Sequence, residues 1–384
     1  MAYTSDELDY LLAQSHSFLS DATSGLSLST KTMVADVSAL RASHGEYARA
    51  VVELELARRS AAAKFGEDQA RSWFMDSEST QQATPAVVAA FRAAYLRSLG
   101  VDAVVDVTCS IGTELHACRK AGMGTVMGGD LDLQRVRMAH RNVPDVPVVA
   151  MDATRPALSL APGMVALADP ARRNSSGRVT KLQDLRPRLD ELEIYPEAAV
   201  KCAPGIDYST HAGQVDIVSV DGQVKEACLY TPGLSRVGRR AVMLGVASPQ
   251  ETVTSEMEAP ERIGPVGRYI IDPDGAVVRA GLVRHYAARH GLWQLDPRIA
   301  YLTGDTVPER RRGFEVREVV PMKQLKAALA ARGVGAVEIL IRGVDVTPEA
   351  LRKKWKLKGS EAATVVLTRV GTKAWGYICD PVRG

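Results

Sequence analysis

The chain has 384 residues, 46% hydrophobic but only 5% aromatic, with a net charge of +3. This length admits two or three domains, and the aliphatic, aromatic-poor balance suits an α/β core. No run of 18 apolar residues occurs, which excludes a membrane-spanning helix, and five scattered cysteines without metal spacing point to a reducing cytoplasm and no zinc site.

The first 30 residues carry Asp6, Glu7 and Asp9 and no early basic cluster, so no signal peptide is expected. Leu8, Leu11 and Leu12, then Met33, Val34, Val37 and Leu40, then Tyr47, Val51, Leu54 and Ala57 repeat at helical spacing. Residues 1–85 therefore read as an N-terminal helical domain with its linker. Within the linker, Trp73, Phe74, Gln81 and Gln82 are placed to touch adenine or a substrate base, or else Trp73 and Phe74 plug the domain junction. Thr84-Pro85 starts the next helix, with Pro at its first position.

Residues 86–250 read as the core, a mostly parallel sheet in an α/β plan. Strands are predicted at 102–107, 125–130, 146–151, 164–168 and 197–202, and helices at 113–121, 133–142 and 182–193. Segments 214–222 and 224–231 flank an Asp-Gly turn and read as a hairpin. Val101, Ala103, Val104, Val105 and Val107 form the near-continuous apolar run of a strand covered on both faces. Asp106 sits at its carboxyl end, and Ser110 and Gly112 follow in a tight turn. A dinucleotide loop needs G-x-G-x-x-G so that phosphate can approach the backbone. Here the third Gly is missing, which disfavours NAD and favours S-adenosylmethionine (SAM), a cofactor without phosphate. Asp130, 18 residues after Gly112, is placed for ribose hydroxyls, and Asp152, after the third strand, for the adenine amine.

The fourth strand ends in Asp169-Pro170-Ala171-Arg172-Arg173. Enzymes that methylate exocyclic amines of bases place D/N-P-P-Y/F/W at this edge. There a carboxylate or amide oxygen and a backbone carbonyl aim the nitrogen lone pair at the methyl group, and the aromatic stacks the flipped base. Asp169 and Pro170 match; Ala171 and Arg172 do not. Arg172 and Arg173 can stack a base or hold phosphate. Lys201, ending the fifth strand at the same edge, can neutralise a substrate phosphate.

Residues 251–310 read as a connecting segment broken by Pro260, Gly264, Pro265, Gly267, Pro273 and Gly275, with a helix after the last. Residues 311–384 read as a compact α+β unit of ferredoxin-like plan, two helices over an antiparallel sheet. Charge is uneven: residues 301–384 hold 16 Lys/Arg against 9 Asp/Glu, whereas residues 1–100 hold 9 against 12. A basic tail with Lys353, Lys354, Lys356 and Lys358 suggests a polyanion partner.

Taken together, these segments resemble a bacterial family of class I SAM-dependent methyltransferases with a C-terminal THUMP-like domain. The resemblance rests on QQATPAVVAAFRA (81–93), VVDVTCSIGTEL (104–115), GGDLD (128–132), ADPARR (168–173) and KCAPGID (201–207). It extends through DPDGAVVRAGLV (272–283), LDPRIAYLTGD (295–305) and RGVDVTPEALRKK (342–354), so it covers nearly the whole chain. The family motif has Gly where Ser110 stands; Ser fits there at negative φ. The resemblance implies a Rossmann-like core and a tail that looks like an RNA-binding THUMP relative. The expected activity is methylation of tRNA or rRNA at an exocyclic amine or ring nitrogen, without a metal. Two other readings stay open: a small-molecule methyltransferase, and a non-catalytic factor that binds SAM or RNA.

Overall fold

The computed structural model describes residues 3–156, 163–170, 173–174, 177–178, 181–245 and 251–384. The chain folds as two compact units. One comprises residues 1–221, 225–236 and 244–249, and the other residues 222–224, 237–243 and 250–384. Among the described residues, no helix is long and apolar enough to cross a membrane.

The first unit begins with helices α1 (Ser5–Ala13), α2 (His16–Thr23), α3 (Met33–His44), α4 (Ala48–Phe65), α5 (Glu67–Ser72) and α6 (Ser77–Gln82). Short polar residues set several of their starts. Thr4 and Glu7 form a capping box on α1, Ser15 accepts the Phe18 N–H at 3.1 Å before α2, and Asp76 accepts the Ser79 N–H at 2.7 Å before α6. Along α4 the buried stripe runs Val51, Leu54, Ala57, Ala61 and Phe65, the spacing of a helix with one face in the core. Trp73 and Phe74 are both buried in that core, so they plug the junction.

After α7 (Ala86–Ser98) the chain alternates through β1 (Ala103–Asp106), α8 (Thr113–Lys120), β2 (Thr125–Asp130), α9 (Leu133–Asn142), β3 (Val148–Ala150) and β4 (Met164–Ala168). A short ribbon, β5 (Arg173–Asn174) and β6 (Gly177–Arg178), precedes β7 (Ala198–Cys202), β8 (Val215–Val220) and β9 (Gln223–Tyr230). Within the first unit, the strands of the main sheet follow the order β8-β9-β7-β4-β1-β2-β3. Five of them, from β3 to β7 across the sheet, run parallel, and β9 is antiparallel to β7. The hairpin turn falls where the Asp-Gly pair predicts, with Asp221 at φ 49° and Gly222 at φ 78°, the left-handed pair of a type I′ turn.

One predicted element is absent. The expected helix over 182–193 is instead two single 3₁₀ turns, Leu182–Asp184 and Asp190–Leu192. Pro187 lies between them; it lacks an N–H and disfavours helical geometry at the residue before it.

In the second unit β10 (Arg239–Leu244) pairs antiparallel with β11 (Glu251–Thr254). Then come β12 (Tyr269–Ile271), α10 (Gly275–Arg279), α11 (Val283–Arg289), β13 (Trp293–Gln294), β14 (Leu302–Gly304) and β15 (Arg312–Pro321). The tail adds α12 (Leu325–Ala331), β16 (Val334–Arg342), α13 (Pro348–Trp355), β17 (Glu361–Val370) and β18 (Lys373–Arg383). Their sheet has the order β13-β14-β12-β15-β18-β17-β16. It is mixed rather than wholly antiparallel, because β16 and β17 pair parallel with α13 as their crossover. Val365 and Leu367 pack with Leu325, Leu329, Leu351 and Trp355 of the two helices. Val366, between them, packs with Ile270, Tyr301, Phe314 and Tyr377 in a separate cluster. Alternation along β17 thus supplies two apolar layers.

Candidate active site

The carboxyl ends of β1, β2 and β4 converge in the first unit, the edge at which open α/β sheets bind ligands. β1 is buried through Val104 and Val105 and delivers Asp106, 3% exposed. Asp106 Oδ1 accepts the Thr108 N–H at 3.0 Å, which closes the first bend of the turn. The Cys109 N–H then bonds the Gly129 carbonyl at 2.8 Å, and the Gly112 N–H bonds the Cys109 carbonyl at 2.8 Å. Gly112 sits at φ 93° as the N-cap of α8. A Cβ there would stand 3.2 Å from Val143 Cγ2, so both conformation and space call for glycine.

Ser110 is at φ 48°. This is the left-handed region, not the negative φ expected for serine at a glycine position, and it costs a non-glycine residue roughly 1–2 kcal/mol. Two bonds offset that cost. Its N–H donates to Asp130 Oδ2 at 2.8 Å, and its hydroxyl accepts from Arg135 Nη1 at 3.0 Å. The same Arg135 nitrogen donates to Gln82 Oε1 at 2.9 Å, tying α6 to the turn.

Asp130 ends β2, and its Oδ1 accepts the Asp132 N–H at 2.9 Å. Each carboxylate oxygen thus holds one backbone donor and keeps acceptor capacity for hydroxyl groups. The neighbouring Leu131 and Leu133 are 78% and 60% exposed, an apolar surface beside an acid. Asp152, after β3, is exposed. Its carboxylate accepts the Thr154 N–H and hydroxyl, both at 2.8 Å, and these bonds hold it below the usual carboxylate range.

Asp169 follows β4. Its N–H donates to the Thr108 hydroxyl at 2.6 Å, which fastens the tip of β4 to the turn after β1. Pro170 is buried. Lys201, on the neighbouring β7, is not a solvent lysine. Its side chain is 8% exposed and its ammonium stands 3.0 Å from Asp169 Oδ2, 2.8 Å from Thr84 Oγ1 and 3.5 Å from Glu114 Oε1. Glu114, in the first turn of α8, also pairs with Arg92 of α7, which in turn pairs with Glu226 of β9. Arg92, Glu114 and Glu226 are at most 2% exposed.

The electrostatics of this cluster follow from burial and pairing. Burial foremost pushes the Asp106 carboxyl up to about 7; Glu114 and Asp169 add to the rise, while Lys201 and the Thr108 N–H oppose it. Burial pushes Glu114 up too, but Arg92 and Lys201 prevail and hold it below the ordinary glutamate value. Cys109, in the turn itself, is buried, and burial raises its thiol well above the ordinary value. It is therefore not a ready thiolate nucleophile.

The structure brings together Asp106, Ser110, Gly112, Asp130, Asp169, Pro170 and Lys201 around the strand tips of one sheet. Arg172 lies outside the described residues, and Arg173 begins β5. Lys353 and Lys354 belong to the second unit, exposed in the last turn of α13. Sequence reasoning missed Thr84, Arg92, Glu114, Arg135 and Glu226. Glu114 carried the one usable signal, an acid in the first helical turn directly after the glycine.

These residues fit SAM. A half-engaged carboxylate at Asp130 suits a ribose diol, exposed leucines beside it suit an adenine face, and a buried acid at Asp106 suits a cationic amino-acid tail.

The chain is 42% identical over 368 residues to a protein of Mycobacterium tuberculosis strain CDC 1551 / Oshkosh named as an uncharacterized SAM-dependent methyltransferase; the match covers 90% of this chain and all of that one. A protein of the same name in strain H37Rv matches to the same extent. The crystal structure of a candidate methyltransferase from Porphyromonas gingivalis W83 superposes over 99% of both chains with a TM-score of 0.65 at 18% identity, a likeness of fold. The model of the THUMP domain-like family matches residues 311–381. The chain therefore belongs to a family of SAM-dependent methyltransferases, with a THUMP-like domain at its C-terminal end.

Proposed function

We propose that the protein methylates a nitrogen of an RNA base, with tRNA or rRNA as the substrate class. One observation carries the choice of nitrogen: Asp169-Pro170 stands at the tip of β4, its backbone bonded to the turn that follows Asp106. The cofactor supplies an electrophilic methyl group on a sulfonium. With SAM bound, the acceptor nitrogen would give its lone pair to that methyl carbon, the electron pair of the C–S bond would stay with sulfur, and the nitrogen would shed one proton to water.

Asp169 accepts an N–H of the substrate amine and, with the Pro170 carbonyl, fixes the direction of its lone pair. Asp106, Ser110, Gly112, Asp130 and Asp152 hold SAM. Carbon methylation by thiolate addition is disfavoured by the raised Cys109 thiol. RNA is favoured by the basic tail and by the THUMP-like match over residues 311–381. In this reading Lys353 and Lys354 dock the phosphate backbone, and Arg172 and Arg173 meet the target nucleotide.

The test separates chemistry from cofactor binding. Asp169→Ala should abolish methyl transfer from labelled SAM into total RNA of a strain lacking the gene. Its SAM affinity by calorimetry should stay within about threefold, because Asp169 acts on the acceptor alone. Joint loss of transfer and SAM binding would contradict the role assigned to Asp169.

A further inference from the structure

We propose that Lys201 is a positioning residue for methyl transfer, holding the Asp169 carboxylate as a fixed hydrogen-bond acceptor, and that it does not contact substrate phosphate. This rests on the reading of Asp169 as the group that orients the acceptor nitrogen.

Strand register places the lysine. β4 and β7 pair in parallel with Ala166 opposite Ala198 and Ala168 opposite Val200, so the next residues, Asp169 and Lys201, stand side by side beyond the last pair. An ammonium has three donors. Lys201 has three acceptors within 3.5 Å: Asp169 Oδ2, Thr84 Oγ1 and Glu114 Oε1. With its side chain 8% exposed, it has neither a spare donor nor an open path to a phosphate.

The lysine is itself anchored. Thr84 precedes α7 and is 2% exposed, and Glu114 is 2% exposed. Glu114 Oε1, the oxygen that faces Lys201, also accepts from Arg92 Nη1. The chain Arg92–Glu114–Lys201–Asp169 therefore runs from the interior to the reacting edge. The consequence for Asp169 is chemical as well as geometric. A carboxylate accepts the N–H of an amine, whereas a protonated carboxyl donates and would occupy the lone pair that must attack. Groups that face Asp169 include the Lys201 ammonium from β7, Asp106 and Thr108 from the end of β1, and Glu114 from α8.

The test has an activity arm and a binding-independent arm. In the first, Lys201→Met should lower kcat for methyl transfer into total RNA from the gene-deleted strain by about 100-fold, the scale of a misplaced reacting group. KM for RNA should change little, and Lys201→Arg should restore most of the rate. In an Asp169→Asn background, the further change Lys201→Met should cost less than about threefold, since the two residues act as a unit. This double variant removes both charges at once and guards against a single variant that fails to fold.

In the second arm, the Asp169 carboxyl-carbon resonance is titrated in [13C]aspartate-labelled protein. Its midpoint should sit at least about one pH unit higher in Lys201→Met than in wild type and return in Lys201→Arg. If RNA is not methylated but the midpoint moves, the RNA reading fails and the positioning role stands. An unmoved midpoint, equal rate losses in both backgrounds, or a raised RNA KM at constant kcat would overturn the proposal.

Discussion

At the scale of single residues, Asp106 makes the sharpest prediction. Its carboxyl sits at about 7 because it is buried among acids, so the native state holds a proton there that an unfolded chain releases near pH 4. Stability from this group is therefore present below pH 4 and lost as pH rises through 7. A cationic amino-acid tail favours the ionised form, so SAM binding should tighten about tenfold from pH 6 to pH 8 and become nearly flat in Asp106→Asn. Calorimetry across that range checks both statements; a flat profile in wild type would remove Asp106 from the cofactor site. Gly112→Ala should cost about 1–2 kcal/mol, read as a lower Tm, since it sits at φ 93°. Asp106, Gly112 and Asp130 were legible in the sequence because each is defined by its own strand and turn. The Lys201 contacts were not, because Thr84 lies 117 residues away and Glu114 lies 87. Ser110 was misread for a related reason: its left-handed backbone is set by Asp130 and Arg135, 20 and 25 residues on.

At the scale of elements, apolar runs located the core strands β1, β4 and β7 where expected, but the strands β10 to β14 were not read from the sequence. Periodicity failed over 182–193, where leucines at helical spacing outweighed Pro187 in the reading but not in the fold. The parallel pairing of β16 and β17 was also hidden, because strand direction depends on which neighbour a strand finds. In the proposed reading helix α13 has two roles that mutation can separate. Trp355 is 4% exposed in the tail core, and Trp355→Ala should cost about 3–5 kcal/mol, seen as a large fall in Tm. Lys353 and Lys354 are exposed. Reversing both to Glu should leave Tm nearly unchanged, weaken RNA binding, and lower the slope of log affinity against log salt by about 2. An unchanged slope would remove α13 from the RNA interface.

At the scale of the whole molecule, the distribution of charge matters more than its sum. A net charge of +3 conceals an acidic first hundred residues and a basic tail. The acidic end belongs to the unit that carries the cofactor edge, and the basic end to the unit with the THUMP-like match. In the proposed reading the polyanion binds the basic unit. The most direct measurement is a mass-spectrometric comparison of RNA nucleosides from wild-type cells, a deletion strain, and that strain carrying either the intact gene or Asp169→Ala. An N-methylated nucleoside should vanish on deletion and return with the intact gene but not with Asp169→Ala. Identical nucleoside profiles in wild-type and deleted cells, or full restoration by Asp169→Ala, would contradict RNA methylation through this site.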